Sequence, residues 1–301
     1  MCISERIVRN EINFLKSQNL IEVNALGMFI TSDGEEIIRQ LKGFIHEIKG
    51  LSKIEKSIEK HLKLKQVIIV PGDVDIDKSV LKELGKAAAN YAMDIIEDNS
   101  IIALTGGTTV KEVVDSFPKN NKYKNILVLP ARGGMARNVE MQANTLVARL
   151  ANRIGGNYEL LHVPDNLSNA ALETILNEKD IKNIIDKIRS ADILLYGIGI
   201  AKDMALKRGI PQKKIRELEE LGAVGEAFGQ YYNELGEIVY STPTIMVKNE
   251  DVKHEKILIA VAAGKNKARA IIATEINRSS TVLIIDEAAA QKIINILEKR
   301  E

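Results

Sequence analysis

From about residue 66 the chain alternates short, continuously apolar runs with longer stretches in which apolar positions recur every three or four residues. The runs are "QVIIVPG", "SIIALTGG", "NILVLPA", "YELLHVP", "ADILLYGIG", "KILIAVAAG" and "TVLIIDE". Several are rich in β-branched residues with no polar alternation, which predicts strands covered on both faces. Between them the helical period predicts helices over 78–96, 138–154, 179–189 and 288–299. This alternation predicts a mainly parallel, Rossmann-like α/β sheet across 66–301. In such sheets ligands collect beyond the carboxyl ends of the strands.

Residues 1–65 have another texture. Ser4 is placed to cap a helix running to about Gln18, with Val8, Ile12 and Leu15 as its buried stripe. Arg6, Arg9, Asn10 and Asn13 share the polar face of that helix. "LIEV" and "MFI", joined by "NALG", predict a hairpin. Helix and hairpin over 1–34 fit the recognition helix and wing of a partial winged helix-turn-helix, and equally an ordinary helix–hairpin cap. In the linker helix predicted over 35–65, Ile37, Leu41, Phe44, Ile48 and Leu51 form a heptad seam. Such a seam suits pairing with a second copy, or packing on the chain's own core.

Composition narrows the function. The formal net charge of +1 gives no overall basic field, and the absence of Trp argues against stacking platforms for single-stranded nucleic acid. A single cysteine, Cys2, excludes an internal disulfide and a multi-cysteine metal site, and fits a reducing compartment. No apolar signal core opens the chain and no run reaches the roughly 18 residues of a membrane span, so a cytoplasmic location without membrane contact is expected.

Five loops carry the candidate chemistry. In "LTGGTT" Gly106 and Gly107 allow close backbone approach, and Thr108 and Thr109 add hydroxyls at the mouth of a helix; this suits a phosphate, or is a plain strand-to-helix turn. In "AGKNKARAII" Lys265 and Lys267 lie at a helix start, where cations oppose the macrodipole unless an anion sits between them. "ARGG" offers Arg132 as a bidentate fork, and Gln142 and Asn144 follow with amides suited to sugar hydroxyls. "YGIGIAKDMALKRG" brings Asp203, Lys207 and Arg208, and "GAVGEAFG" brings Glu226. Together they predict one pocket for a polyhydroxylated dianion. His46, His61, His162 and His254 form no catalytic pattern, and only His162, at a strand end, approaches the loops.

"LTGGTT", "ARGG" with "QAN", "YGIG", "GAVGEAFG" and "AGKNKARAI" occur in the order and spacing of SorC-type sugar-responsive transcriptional regulators, and the resemblance spans essentially the whole chain. It implies an effector domain similar in fold to glucosamine-6-phosphate deaminase and ribose-5-phosphate isomerase. It implies that Gly107, Thr108, Thr109 and Lys267 hold one phosphate of the effector, beside Gly106. Arg132 would take a second phosphate with Lys207 or Arg208, and Gln142 and Glu226 would bond sugar hydroxyls. The implied effector is fructose 1,6-bisphosphate or a related sugar phosphate, and the implied protein is a repressor of carbohydrate or glycolytic genes, a homodimer or homotetramer with no catalytic residue, cofactor or metal. Arg6, Arg9, Asn10 and Asn13 would contact operator DNA. The chain begins where the family's recognition helix stands, so an N-terminal truncation is expected. The alternatives are an isomerase or deaminase of the same fold, against which the lack of an Asp-Gly-His element after "YGIG" counts, and a stand-alone phosphosugar-binding module.

Overall fold

The computed structural model describes residues 4–25, 27–134, 138–164, 167–245 and 256–299, which leaves Cys2 and His254 outside it. The chain divides into two compact units, Met1–Ser52 and Lys53–Glu301.

In the first unit, α1 (Glu5–Ser17) leads into the antiparallel hairpin β1 (Ile21–Asn24) and β2 (Gly27–Ile30), and then α2 (Ser32–Ile48). The hairpin is as the sequence predicts. Ser4 does stand at the N-cap of α1, but its side chain accepts no capping bond. The expected buried stripe is a correction: no residue of α1 is buried, and Val8 is exposed. The cap that does form is Thr31, whose hydroxyl accepts from Gly34 N at 3.1 Å and donates to Asn19 O at 2.6 Å. Gly34 is required there, because a Cβ would lie 2.2 Å from Leu20 O. The linker is two helices rather than one. Gly50, with φ +63°, separates α2 from α3 (Leu51–Leu62), and the division between the units falls just after it. On α2 the seam residues Ile37, Leu41, Phe44 and Ile48 are exposed.

The second unit is built on a parallel sheet. Its strands are β3 (Gln66–Val70), β4 (Ile101–Leu104), β5 (Leu127–Pro130), β6 (Asn157–Tyr158), β7 (Ile193–Gly197), β12 (Ile257–Ala262) and β13 (Thr281–Asp286). Among the described residues these seven pair in the order β3-β13-β12-β7-β4-β5-β6, every pair parallel. β12 and β13 are almost wholly buried, as the apolar runs at their centres require. α4 (Ser79–Ile95), α5 (Thr108–Ser116) and α6 (Ala143–Ile154) share one continuous core with the strands, centred on Leu84, Val113, Leu146 and Ile284. The run "YELLHVP" is mostly irregular: only its Tyr158, with Asn157 before it, joins the sheet, as its edge. α7 (Asn169–Leu176) and α8 (Lys179–Arg189) follow and lead into β7.

A second sheet goes beyond the sequence reading. β8 (Gly199–Ile200), β9 (Ala223–Ala227), β10 (Gln230–Asn233) and β11 (Ile238–Ser241) form an antiparallel sheet in the order β11-β10-β9-β8. α9 (Ala201–Lys207) and α10 (Gln212–Glu220) cover it, Ala201, Ala205, Ile215 and Leu218 clustering with Tyr231 of β10. α11 (Ala268–Glu275) and α12 (Glu287–Leu297) complete the unit.

The strand order reverses between β4 and β7. After β4 the chain moves outward to β5 and β6, and after β7 it moves the other way to β12 and β13. The loops leaving these two neighbours therefore diverge, and a crevice opens between them.

Ile284 sits fully buried in the centre of this core. Ile284→Ala is expected to destabilise the second unit by about 2–5 kcal/mol, measured as a lower midpoint in urea. A loss well under 1 kcal/mol would contradict close packing at this point.

Candidate functional site

The crevice at the reversal is a cavity of about 440 Å³. All five loops singled out in the sequence reach its wall. Gly106, Gly107, Thr108, Thr109, Arg132, Gln142, Lys207, Glu226 and Lys267 line it, together with Asp203, Met141, Met204 and Phe228. Three cations thus face two carboxylates, and the uncapped N-terminus of α5 adds its leading amides and partial positive charge.

The two glycines after β4 serve different ends. A Cβ on Gly106 would lie 2.4 Å from Met141 O, so Gly106 is there to let the 3-10 turn Val139–Met141 close over the loop. Gly107 has φ +125° and nothing within 4 Å of its Cβ position, so its requirement is conformational. Its amide donates to Met141 O at 2.9 Å, and the Thr108 hydroxyl donates to Met141 Sδ at 3.7 Å, which leaves the amides of Thr108 and Thr109 and the Thr109 hydroxyl as the groups this loop offers a ligand.

Lys267 enters from the loop after β12. Gly264, at φ +99°, turns the chain, and its N–H donates to Asp286 Oδ1 at 2.9 Å. Asp286 is fully buried; its carboxylate also accepts from Val74 N at 3.1 Å and caps α12 through Ala289 N. One side chain at the end of β13 thereby ties three segments together and fixes the loop that presents Lys267. Burial, and then the neighbouring charge of Lys207, hold the Lys267 ammonium below its ordinary pKa, while Asp286 and Asp203 oppose the shift. Lys265, by contrast, is exposed and stands outside the cavity wall.

Glu226 is 3% exposed on β9. Its Oε1 accepts from Arg208 Nη2 at 2.6 Å and from Gly229 N, and lies 3.7 Å from Arg132 Nη1. The sequence treats Lys207 and Arg208 as one interchangeable pair. The structure separates them: Lys207 lines the cavity and Arg208 does not. Consecutive helical positions point about 100° apart, so Arg208, at the C-cap of α9, reaches Glu226 instead. Asn144 is a second correction, because its amide is spent on Leu161 N and O, both at 3.1 Å. His162 is exposed and away from the cavity wall.

The sequence reading missed Phe228. It occupies the first position of the two-residue turn between β9 and β10 at φ +56°, followed by Gly229 at φ +88°. A left-handed backbone costs an aromatic residue roughly 1–2 kcal/mol. The conformation sets the ring on the cavity wall, 4.3 Å from that of Tyr196. Asp286 was also missed, although an aspartate closing an apolar strand before "EAAA" is an N-cap signature.

In the first unit Arg6, Arg9, Asn10 and Asn13 are exposed on one face of α1, with Arg9 bound to Glu5 at 2.7 Å. Among the described residues no group of three or more His, Cys, Asp or Glu side chains could hold a metal, and no helix is long and apolar enough to cross a membrane.

Residues 46–295 match the family model "Putative sugar-binding domain", and residues 1–45 match the "CggR N-terminal DNA binding domain". A SorC family transcriptional regulator from Enterococcus faecalis, known as a crystal structure, is 35% identical with a TM-score of 0.74, over 80% of this chain and 99% of that one. The chain belongs to the SorC family of sugar-binding transcriptional regulators. The central glycolytic genes regulator of Bacillus subtilis is 39% identical over 292 residues, 97% of this chain and 86% of the relative. The full-length sorbitol operon regulator SorC from Klebsiella pneumoniae, 19% identical, has the same fold with a TM-score of 0.73 over 81% of this chain and 80% of that one. This SorC-family chain therefore pairs a DNA-binding domain with a sugar-binding domain, and the cavity lies within the latter.

The depressed pKa of Lys267 has a consequence for stability. A lysine titrating lower in the folded than in the unfolded chain penalises folding at neutral pH; the penalty fades as pH rises from the depressed value toward the ordinary lysine range. Lys267→Met is therefore expected to raise the stability of the protein without ligand at pH 7 by about 0.5–2 kcal/mol, as is common when strained functional groups are removed. A melting curve checks this; a lower midpoint would contradict the strain assigned to Lys267.

Proposed function

We propose that this chain is a repressor of glycolytic genes whose cavity binds fructose 1,6-bisphosphate. The observation that carries the proposal is the convergence of Arg132, Lys207 and Lys267 with the N-terminus of α5 around one crevice that also holds hydroxyl-binding groups. Similarity to the central glycolytic genes regulator of Bacillus subtilis supports the choice of genes. In this reading Thr108, Thr109 and Lys267, on a loop shaped by Gly106 and Gly107, hold one phosphate. Arg132 and Lys207 hold the other, and Gln142 and Glu226 bond the sugar hydroxyls between them. Arg208 has no place among the phosphate ligands.

Arg6, Arg9, Asn10 and Asn13, exposed together on α1, are assigned to operator DNA, and the exposed apolar seam of α2 to pairing of two copies. The effector acts by binding one arrangement of the DNA-reading arms better than another, and it shifts the equilibrium only by that difference. Glu226 gives catalysis little support: its carboxylate, a candidate base, already accepts from Arg208 and from Gly229.

The test joins a thermal shift to a gel shift. At 100 times its dissociation constant, fructose 1,6-bisphosphate is expected to stabilise the protein by about 2.7 kcal/mol. Lys267→Ala and Arg132→Ala should each abolish that gain. The same ligand should change retention of DNA fragments that precede the protein's own glycolytic genes. Identical retention with and without ligand would count against the regulatory reading; a shift with fructose 6-phosphate but none with the bisphosphate would remove Arg132 from the site.

A further inference from the structure

Glu226 stands between two arginines at unequal range. Arg208 Nη2 approaches Oε1 to 2.6 Å, with both side chains 3% exposed, while Arg132 Nη1 stays 3.7 Å away. The Gly229 N–H donates to the same oxygen from the β9–β10 turn. Arg132 and Glu226 are on the cavity wall, and Arg208 is not. A buried carboxylate that loses its cation is strongly destabilising. An anion entering the cavity can therefore draw Arg132 toward itself only if Glu226 remains held by something else, and Arg208 with Gly229 supplies that hold.

We propose that Arg208 is a positioning residue: by holding Glu226 against the β9–β10 turn, it lets the Arg132 guanidinium turn to an incoming phosphate. This rests on reading the cavity as a bisphosphate site, and it gives Arg208 no contact with the ligand. Without Arg208, the Glu226 carboxylate turns to Arg132, closes the 3.7 Å gap and competes with the ligand for the same planar fork. The geometry thus makes two buried arginines unequal. One meets the ligand, and the other keeps the carboxylate out of its way.

The test is a double-mutant cycle read by titration calorimetry with two ligands. Fructose 1,6-bisphosphate carries sugar hydroxyls, and 1,6-hexanediol bisphosphate carries two phosphates without them, so the second isolates the phosphate contacts from those of Glu226 to the sugar. Arg208→Met is expected to weaken the hexanediol bisphosphate by about 10- to 100-fold, within the range of coupling found in contacting ionic networks. Glu226→Gln alone should strengthen it, because the competing carboxylate is gone. In the Glu226→Gln background, Arg208→Met should cost little. An equal loss in both backgrounds would show that Arg208 acts through its own charge or through packing, and would overturn the proposal. Should Arg208→Met fold poorly, Glu226→Gln still decides: weaker binding of the hexanediol bisphosphate by that variant overturns it. Binding of neither ligand by the native protein overturns the cavity reading and this inference with it, whereas native binding with additive variants overturns the inference alone.

Discussion

The site depends on the reversal of strand order between β4 and β7. All neighbours in the large sheet are parallel, so every strand delivers its loop to the same edge. Only where consecutive connections leave in opposite directions do those loops part. The glycine loop after β4 and the "GIG" turn after β7 form the two sides of that gap, and the loops after β5 and β12 bring Arg132 and Lys267 to it. The position of the cavity is thus set by topology before any particular side chain is considered.

Holding like charges at such a place needs compensation. The charge of Lys207 adds to the cost of charging Lys267, and the carboxylates of Asp286 and Asp203 oppose it. Asp286 is spent on backbone amides, and it fixes the Lys267 loop while opposing the pKa shift. Glu226 is spent chiefly on Arg208 and Gly229. Strain is kept in the same neighbourhood, in the left-handed backbone of Phe228, whose turn is pinned by the Glu226 carboxylate. Strained backbone gathers where surrounding contacts over-determine it, and functional sites are the usual place.

Much of this was legible in the sequence. Continuous apolar runs, several of them β-branched, identified six of the seven parallel strands in full and the edge strand β6 only at Tyr158, because burial on both faces leaves no room for polar alternation. The loops that carry the chemistry followed, since ligand groups in such a fold must come from strand ends. The antiparallel sheet was hidden for a physical reason: its hairpin turns on Phe228-Gly229, and nothing local favours a left-handed phenylalanine. The roles of Lys207 and Arg208 were hidden as well, since a one-residue step at a helix end exchanges the cavity for Glu226. The buried stripe expected on α1 also did not form, although its polar face did: helical period places side chains on faces and does not say what covers them.

A crystal structure of the protein soaked with fructose 1,6-bisphosphate tests the central claim most directly. The sugar is expected in the crevice between the loops after β4 and β7, one phosphate on the N-terminus of α5 beside Lys267, and the other against Arg132, with Arg208 still on Glu226. A ligand bound elsewhere, or a phosphate held by Arg208 while Arg132 stays with Glu226, would contradict it.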